Sequence, residues 1–314
     1  MTAVCSLSHR DVTGAWRGYL AKATAPGSAH WRAESFRATA GEPMTIRRAK
    51  ALNAVLDNCP LHIVPGELLF GIGFAGRQVL PGTYSAETIA ADNKLVGEIG
   101  GRNFGTHCDH HASDYRKLLR LGFGGLKAEV RASLARQDEK GRLFLESVMV
   151  ALDGASSHLL RWSAALAQAA KDHREHADLL SMQSAMAAKL AEEAPASFHE
   201  ALQLILCYHL MMQLDNRAAM AFGRLDQYLQ PFYLADLKAG RSSAAEMQDA
   251  LDHFFAKITV TDDVQNIALA GVDPQTGEDA TNEVSYMILE ACKRVGQPGG
   301  NCTVRITKNT PRDF

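Results

Sequence analysis

Cysteine pairs, an excess of one charge and long apolar runs are all missing from this chain of 314 residues. Its six cysteines form no C-x-x-C pair, so neither a disulfide framework nor a cysteine zinc cage is predicted. They are Cys5, Cys59, Cys108, Cys207, Cys292 and Cys302. The formal charge of −2 provides no basic surface for nucleic acid. The apolar segment 201–214 is shorter than the roughly 20 residues that cross a bilayer, so no membrane contact is expected.

An export signal is missing as well, because the N-terminal segment has no apolar core bounded by basic residues and a cleavage site. The protein is therefore expected in the cytoplasm. Hydrophobic residues make up 46% of the chain and charged residues 22%, which is enough apolar content to bury a core. No linker rich in proline, glycine or serine marks a boundary, so residues 1–314 are interpreted as one unit.

Proline is absent from residue 135 to residue 194, where alanine, leucine, glutamate, lysine and glutamine are abundant. This composition predicts long helices, with Gly154 as the one obvious interruption after Gly141. The polar run 173–176 is expected at a turn or on a solvated face. The whole stretch is predicted to be scaffold.

An apolar helix follows directly. Ser197, with Glu200 three residues later, matches the reciprocal capping pattern that satisfies two backbone donors at a helix start. Apolar residues leave little of the circumference of 201–214 polar, which indicates a helix that is buried nearly all round.

Beyond this helix, polar and aromatic residues crowd together around the sequence GRLDQYL. Its polar positions are Gly223, Arg224, Asp226 and Gln227. Charged groups at such density are costly to bury unless partners are provided. We interpret the four residues as a structural network in which Arg224 and Asp226 tie a loop to neighbouring backbone. A buried ion pair there would fix register more than it adds stability.

The segment 195–240 resembles a signature of the glycyl radical enzymes, the family of pyruvate formate-lyase (formate acetyltransferase) and of several lyases and dehydratases. Three more segments resemble the same family in the same order. Thr45 to Gly71 is similar to its opening helix, followed by a turn and by Glu67 before an apolar strand. His110 to Leu126 is similar to its histidine, aspartate-tyrosine and helical glycine segment. Gln265 to Pro311 is similar to its strand, turn, long helix and second strand.

The resemblance implies a helix-rich α/β fold, the first half of a ten-stranded barrel built from two half-barrels. Residues 1–314 would be the N-terminal portion of that domain, truncated before the cysteine loop and the glycyl radical domain. Thr310 and Pro311 form a helix-start pattern that is not continued, which favours the same interpretation.

The same resemblance implies a radical reaction that cleaves a C–C, C–N or C–O bond of a small polar substrate. A separate radical S-adenosylmethionine activase would install the glycyl radical, and no cofactor would be bound. The other implied partners are the missing C-terminal half and a second copy in a homodimer. No catalytic residue is expected in this chain, because the radical cysteine and glycine are absent, so the chain alone is expected to be inactive.

His110 aligns with a histidine of the substrate pocket in several members of the family. There it would hydrogen-bond a substrate hydroxyl or carbonyl, or relay a proton to it; the alternative is a structural histidine. Ala218 and Ala219 stand where glycerol-dehydratase-like members carry a histidine and a serine, which makes diol elimination assisted by that histidine unexpected. The sequence around Gly296 is superficially similar to the family's radical glycine motif, but a glycine at this position is typical of a left-handed helix cap.

Two further hypotheses come from other classes of protein. His107 and His111 stand four residues apart and, with Asp114, would form a metal site of a metal-dependent hydrolase. Gly101 and Gly105 favour a loop there, however, and no HExxH pattern is present, so no metal site is predicted. The other hypothesis is a complete, non-catalytic helical scaffold or binding protein.

Overall fold

The computed structural model describes residues 6–21, 27–71, 85–100, 110–261, 263–296 and 300–314. Helices dominate the described residues and pack against one face of a small parallel sheet. The helices are α1 (His9–Leu20), α2 (Gly27–Ala38), α3 (Met44–Asn58), α4 (Ala86–Gly100), α5 (Tyr115–Leu134), α6 (Glu139–Asp172), α7 (Ala177–Leu190), α8 (Phe198–Leu214), α9 (Leu225–Ala239), α10 (Ala244–Val260) and α11 (Glu283–Val295). The strands are β1 (Gln265–Ala270) and β2 (Gly300–Arg305).

Helix α8 lies inside the main hydrophobic core, as its apolar circumference predicts. Its first turn is capped by Ser197, whose hydroxyl accepts a hydrogen bond from the Glu200 amide at 3.2 Å. The predicted reciprocal bond, from the Ser197 amide to the Glu200 carboxylate, is replaced. The Glu200 carboxylate accepts instead from the Ala196 amide at 2.6 Å and also pairs with Lys189. One half of the capping pattern is therefore confirmed, and the other half is shifted by one residue.

The long helices predicted between residues 135 and 194 are α6 and α7, joined by a short 3-10 turn at Arg174–His176. Gly154 does not interrupt α6, contrary to expectation. It allows α3 to approach, because a side chain at residue 154 would meet the Asn53 amide group at 1.9 Å. Among the described residues, only α6 is long and apolar enough to cross a membrane, which is weak evidence because core helices pass the same test. It packs against α3, α5 and α7.

A parallel sheet forms the opposite part of the molecule. β1 pairs with β2 in parallel, in the register Ile267 to Cys302, and α11 provides the connection between the strands. This order of strand, turn, helix and strand is the one predicted for residues 265–311. Two bridges extend the sheet, since Gly223 pairs with Ile267 and Ala221 pairs with Ala112, both in parallel.

The apolar segment after Glu67 is not a strand, contrary to prediction. Residues 68–71 run irregularly through the core, and side chains of α8 and α10 satisfy their backbone. Gln203 of α8 donates to the Phe70 carbonyl and accepts from the Phe70 amide, each at 3.0 Å. Lys257 of α10 donates to the Gly71 carbonyl at 2.6 Å. Because these donors and acceptors replace a neighbouring strand, an apolar pattern of this kind does not require a sheet.

Two glycines take the backbone geometry that only glycine adopts easily. Gly296 ends α11 in the left-handed region at φ 82°, which confirms the predicted cap. Gly122 breaks the regular geometry of α5 at φ 60°, and a side chain there would lie 2.5 Å from the Glu193 carbonyl carbon. The helix-start pattern at Thr310 and Pro311 is followed by a turn, and the Thr310 hydroxyl donates to the Asp279 carboxylate at 2.9 Å.

Candidate functional site

One face of the parallel sheet packs on the core, whereas the other is uncovered in the part of the chain that the structure describes. Burial alternates along both strands, as the period of two in a strand requires, with Ile267 and Cys302 directed toward the core. We name the uncovered side the open face. It is formed by Ala112, Ala221, Gly223, Asn266, Ala268, Asn301, Thr303 and Arg305. Small residues occupy one half of the open face and polar residues line the β2 half.

His110 precedes the outermost extended segment of this sheet and is exposed, with a left-handed backbone at φ 49°. The next residue, His111, is also exposed, and its carbonyl accepts a hydrogen bond from the Ala221 amide at 2.8 Å. The two histidines therefore stand at the beginning of the outer segment of the open face. This placement leaves either imidazole accessible to a molecule that approaches the sheet.

Ala218 and Ala219 lie at the start of the neighbouring segment. Ala219 is buried, with a left-handed backbone at φ 57°, and its amide donates to the Asp263 carboxylate at 2.8 Å. The other oxygen of the Asp263 carboxylate accepts from Gln213 at 3.1 Å. Asp263 thereby joins the end of α8 to the start of β1. Side chains at 218 and 219 are limited to methyl groups, which cannot exchange a proton.

The polar residues of GRLDQYL hold the carboxyl end of β1. Both Arg224 and Asp226 bind Ala270: the guanidinium donates to its carbonyl at 2.8 Å, and the carboxylate accepts from its amide at 2.7 Å. Ala270 is left-handed at φ 56°, a conformation that disfavours a residue with a side chain. No ion pair joins Arg224 to Asp226 among the described contacts, so the expected ion pair is replaced by two bonds to the backbone of one residue, Ala270.

The same network extends to neighbouring helices. Asp226 is fully buried and also accepts a hydrogen bond from the Ser285 hydroxyl in α11 at 2.7 Å. The Gln227 side chain donates to the Ala280 carbonyl at 2.7 Å, just before α11. Gly223 is left-handed at φ 69°, and a side chain there would meet the Tyr228 hydroxyl at 2.9 Å. The contacts of these residues are to protein backbone and to helix ends.

A buried histidine lies beneath this part of the sheet, and sequence reasoning missed it. His209 of α8 stacks on Phe222 at 4.1 Å between ring centroids, and its Nδ1 is 3.1 Å from the Tyr115 hydroxyl. Burial lowers the pKa of His209 to about 3, with a smaller contribution from His111. The imidazole is therefore neutral at any physiological pH. It supports the residue between Ala221 and Gly223 from the core side.

The suggested metal site lies only partly within the described residues. His107 lies outside the described residues, and the Asp114 carboxylate accepts the Lys117 amide at 3.0 Å as the N-terminal cap of α5. In the described part of the chain, a different group of candidate ligands lies at His30, Glu34 and Asp92. The Arg37 guanidinium binds both of the carboxylates there, so their charge is already compensated.

A radical cysteine would have to reach the open face, and none of the described cysteines does. Cys59 and Cys207 are buried in the helical core, and burial raises the pKa of Cys207 to about 12. Cys302 is on the core side of β2, and its sulfur lies 3.3 Å from that of Cys292. Cys5 and Cys108 lie outside the described residues.

Comparison with known proteins identifies the family of this chain. The family described as pyruvate formate lyase-like matches residues 75–314. The chain belongs to this family, and the resemblance to glycyl radical enzymes is confirmed. A relative named "Probable dehydratase YbiW" from Escherichia coli K12 is 30% identical over 235 residues, covering 65% of this chain and 29% of the relative. The (2S)-3-sulfopropanediol dehydratase of Klebsiella oxytoca is 26% identical over 255 residues, covering 71% and 31%.

Other matches include isethionate sulfite-lyases and the glycyl radical subunit of a 4-hydroxyphenylacetate decarboxylase. These are dehydratases and lyases, so the narrower expectation of a formate acetyltransferase is not supported.

The fold comparison agrees. The B12-independent glycerol dehydratase of Clostridium butyricum, solved with glycerol bound, superimposes with a TM-score of 0.82 at 24% identity. The superposition covers 100% of this chain and 49% of the dehydratase. The helix-rich α/β fold is thus that of a glycyl radical enzyme barrel, and the chain spans about half the length of that enzyme and less than a third of the first two relatives.

Proposed function

We propose that this chain forms the N-terminal half-barrel of a glycyl radical dehydratase or lyase. The observation that carries the proposal is the open face, because the described residues cover the parallel sheet with helices on one side only. Parallel sheets are ordinarily covered on both sides. In this proposal the C-terminal half covers the open face and brings the radical cysteine and glycine to it. When complete, the enzyme would use a glycyl radical, made by a radical S-adenosylmethionine activase, to start hydrogen abstraction from the substrate.

The contacts of the chain suggest how it would contribute to such a site. His110 would hydrogen-bond the substrate from the outer edge of the open face. Gly223, Arg224, Asp226 and Gln227 would act structurally, because their hydrogen bonds hold the end of β1 and the start of α11. The small residues of the open face would leave room for the substrate. Since Ala218 and Ala219 cannot transfer a proton, proton transfer would fall to His110 or to groups of the other half.

Arg305 suggests the substrate's chemistry. It lies on the open face at the carboxyl end of β2, the end at which α/β sheets commonly bind ligands. Its side chain crosses Gly271, where any added side chain would meet Nε at 3.1 Å. A guanidinium binds carboxylate, sulfonate or phosphate oxygens in a fork. We therefore infer a small hydroxylated substrate that carries an anionic group, in line with the sulfopropanediol named for one relative.

A reconstitution experiment tests the proposed function. The chain is coexpressed without oxygen with the polypeptide encoded next to it and with an activase, and the glycyl radical is measured by electron paramagnetic resonance. We expect a radical signal and substrate turnover only when all the components are present. Turnover by the chain alone, or a neighbouring region that encodes no cysteine and glycyl radical segments, would contradict the proposal.

The alternative of a complete scaffold is tested with the chain alone. A half-barrel is expected to bind the dye ANS through apolar side chains that the other half would cover, and this binding should disappear on addition of the other half. A compact monomer that binds no dye would instead support the scaffold.

In the reconstituted enzyme, Arg305→Gln is expected to raise KM for an anionic substrate by about tenfold or more, the equivalent of one charge-assisted hydrogen bond. Lys308→Gln removes an exposed cation just beyond β2 and serves as the matched control. Equal effects of the two substitutions would show that general charge, and not Arg305, attracts the substrate.

A further inference from the structure

Cys292 and Cys302 form a close pair of thiols, and the spacing of the two residues in the sequence does not predict this contact. They stand ten residues apart, one near the end of α11 and the other in β2, and their sulfurs lie 3.3 Å apart. A disulfide requires a separation of about 2.05 Å, so a small rotation of each side chain would bring the sulfurs to bonding distance. Both residues are half-buried at the edge of the core, within reach of a small reagent.

The other two described cysteines provide an internal contrast. Cys59 and Cys207 are 2% and 5% exposed, and burial raises the pKa of both thiols. Since the thiolate is the reactive form, these two are expected to be inert. The two sulfurs are within hydrogen-bond distance, and a bond donated by the Cys292 thiol lowers the pKa of Cys302. Partial exposure thus distinguishes the pair from Cys59 and Cys207, and Cys302 is the thiol of the pair that ionises more readily.

We propose that Cys292 and Cys302 are a dithiol modification site that reacts with low-molecular-weight disulfides and closes into an intramolecular disulfide. The Cys302 thiolate attacks one sulfur of the small disulfide, forms a mixed disulfide and releases one small thiolate. Cys292 then loses its proton and attacks the Cys302 sulfur, which releases the second small thiolate. Overall, two protein thiols are oxidised to one disulfide, and the small disulfide is reduced to two thiols.

The product ties the end of α11 to β2. This bond would link the two ends of the segment 293–301, and it would lie on the core side of the sheet, away from the open face. It would hold β2 in register beside β1 when oxidant is present and release β2 when reductant returns. The proposal does not depend on the radical chemistry, because it uses only groups within this chain.

The test uses the chain with Cys5→Ser and Cys108→Ser, treated with oxidised glutathione and mapped by mass spectrometry after alkylation. We expect a peptide cross-link between Cys292 and Cys302, reversed by dithiothreitol, while Cys59 and Cys207 remain open to alkylation after unfolding. Both thiols remaining reduced, or a different pairing, would overturn the proposal.

Two single variants test the order of attack. Cys292→Ser is expected to trap a stable mixed disulfide on Cys302, and Cys302→Ser is expected to react at least severalfold more slowly at Cys292. Faster reaction of Cys292 in the second variant would overturn the assignment of Cys302 as the attacking sulfur. Hydrogen exchange at the β2 amides gives a further measurement that does not require a variant, since oxidation should slow it.

Discussion

Two extended apolar segments of this protein find different partners for their backbone hydrogen bonds: side chains in one segment and neighbouring backbone in the other. Residues 68–71 lie among helices and bond to side chains such as Gln203 and Lys257. β1 lies between two extended neighbours and bonds to their backbone. The first arrangement is closed, because its partners belong to packed helices. The second is extendable, because a parallel sheet exposes donors and acceptors at its edges. Similar apolar patterns thus anchor an irregular segment in one region and form a sheet in the other.

The closed region depends on a buried ion pair. The Lys257 ammonium lies 2.8 Å from the Glu67 carboxylate, which also accepts from the Trp16 indole at 2.9 Å. Both charged groups are nearly inaccessible, so each needs the other. The ammonium also lies 4.7 Å from the Trp16 ring centroid. These contacts connect α1, residues 67–71 and α10.

The largest effect is expected from Lys257→Met. This change leaves the Glu67 carboxylate and the Gly71 carbonyl without their partner, and loss of one member of a buried pair costs about 3 to 5 kcal/mol. The free energy of unfolding, measured by urea denaturation at pH 8, should fall by that amount. Lys238→Met, at an exposed site in α9, is the control and should have little effect. Similar stabilities of the two variants would mean that residues 67–71 do not need this anchor.

A pH dependence is expected from Glu67. Burial raises its pKa from 4.5 to about 7, against the opposing effects of Lys257 and Trp16. Between these two pH values the folded chain retains a proton that the unfolded chain releases. The contribution of Glu67 to stability is therefore complete below pH 4.5 and is lost as pH rises through 7.

Glu67→Gln removes this titration while keeping the shape of the side chain. The stability of the natural chain relative to Glu67→Gln should decrease by about 3 kcal/mol as pH rises from 4.5 to 8, given 1.36 kcal/mol per pKa unit. Urea denaturation of both proteins across this range measures the difference. A constant difference would show that Glu67 does not titrate in this window.

The extendable region is tested by a smaller change. Asp226→Ala would leave the Ala270 amide and the Ser285 hydroxyl without their acceptor, which should destabilise the chain by about 2 to 3 kcal/mol. Hydrogen exchange should increase first at the carboxyl end of β1. Asp226→Asn retains one acceptor oxygen and should lose less. If the β1 amides exchange no faster in Asp226→Ala, Asp226 does not hold the end of that strand.

Local features of this fold follow from the sequence, whereas the long-range contacts do not. The Ser197 cap, the buried α8 and the Gly296 cap depend on neighbours within a few residues, so their patterns were sufficient. The strand expected after Glu67 was wrong, because the hydrogen-bond partners of residues 68–71 are side chains of α8 and α10, which no local pattern specifies. The polar residues of GRLDQYL share this limit: Arg224 and Asp226 stand out in the sequence, but their common partner, Ala270, is more than forty residues away.

The pair of Cys292 and Cys302 escaped prediction for a related reason. A metal or redox motif is recognised by short spacing, whereas here a helix end, a turn and a strand bring the sulfurs together. His209 was also missed, since a lone histidine in an apolar helix gives no signal of its contact with Tyr115.

The parallel arrangement of the sheet also affects how the chain folds. Its extended segments, around residues 112, 222, 267 and 302, are separated by whole helices. Pairs such as α6 with α7 are adjacent in sequence and are expected to dock early, because short loops close at low entropic cost. Strand pairing then waits for the helices to position each segment. The sheet is thus expected to be the last part to consolidate, so that during synthesis its free edge remains available for any polypeptide that follows.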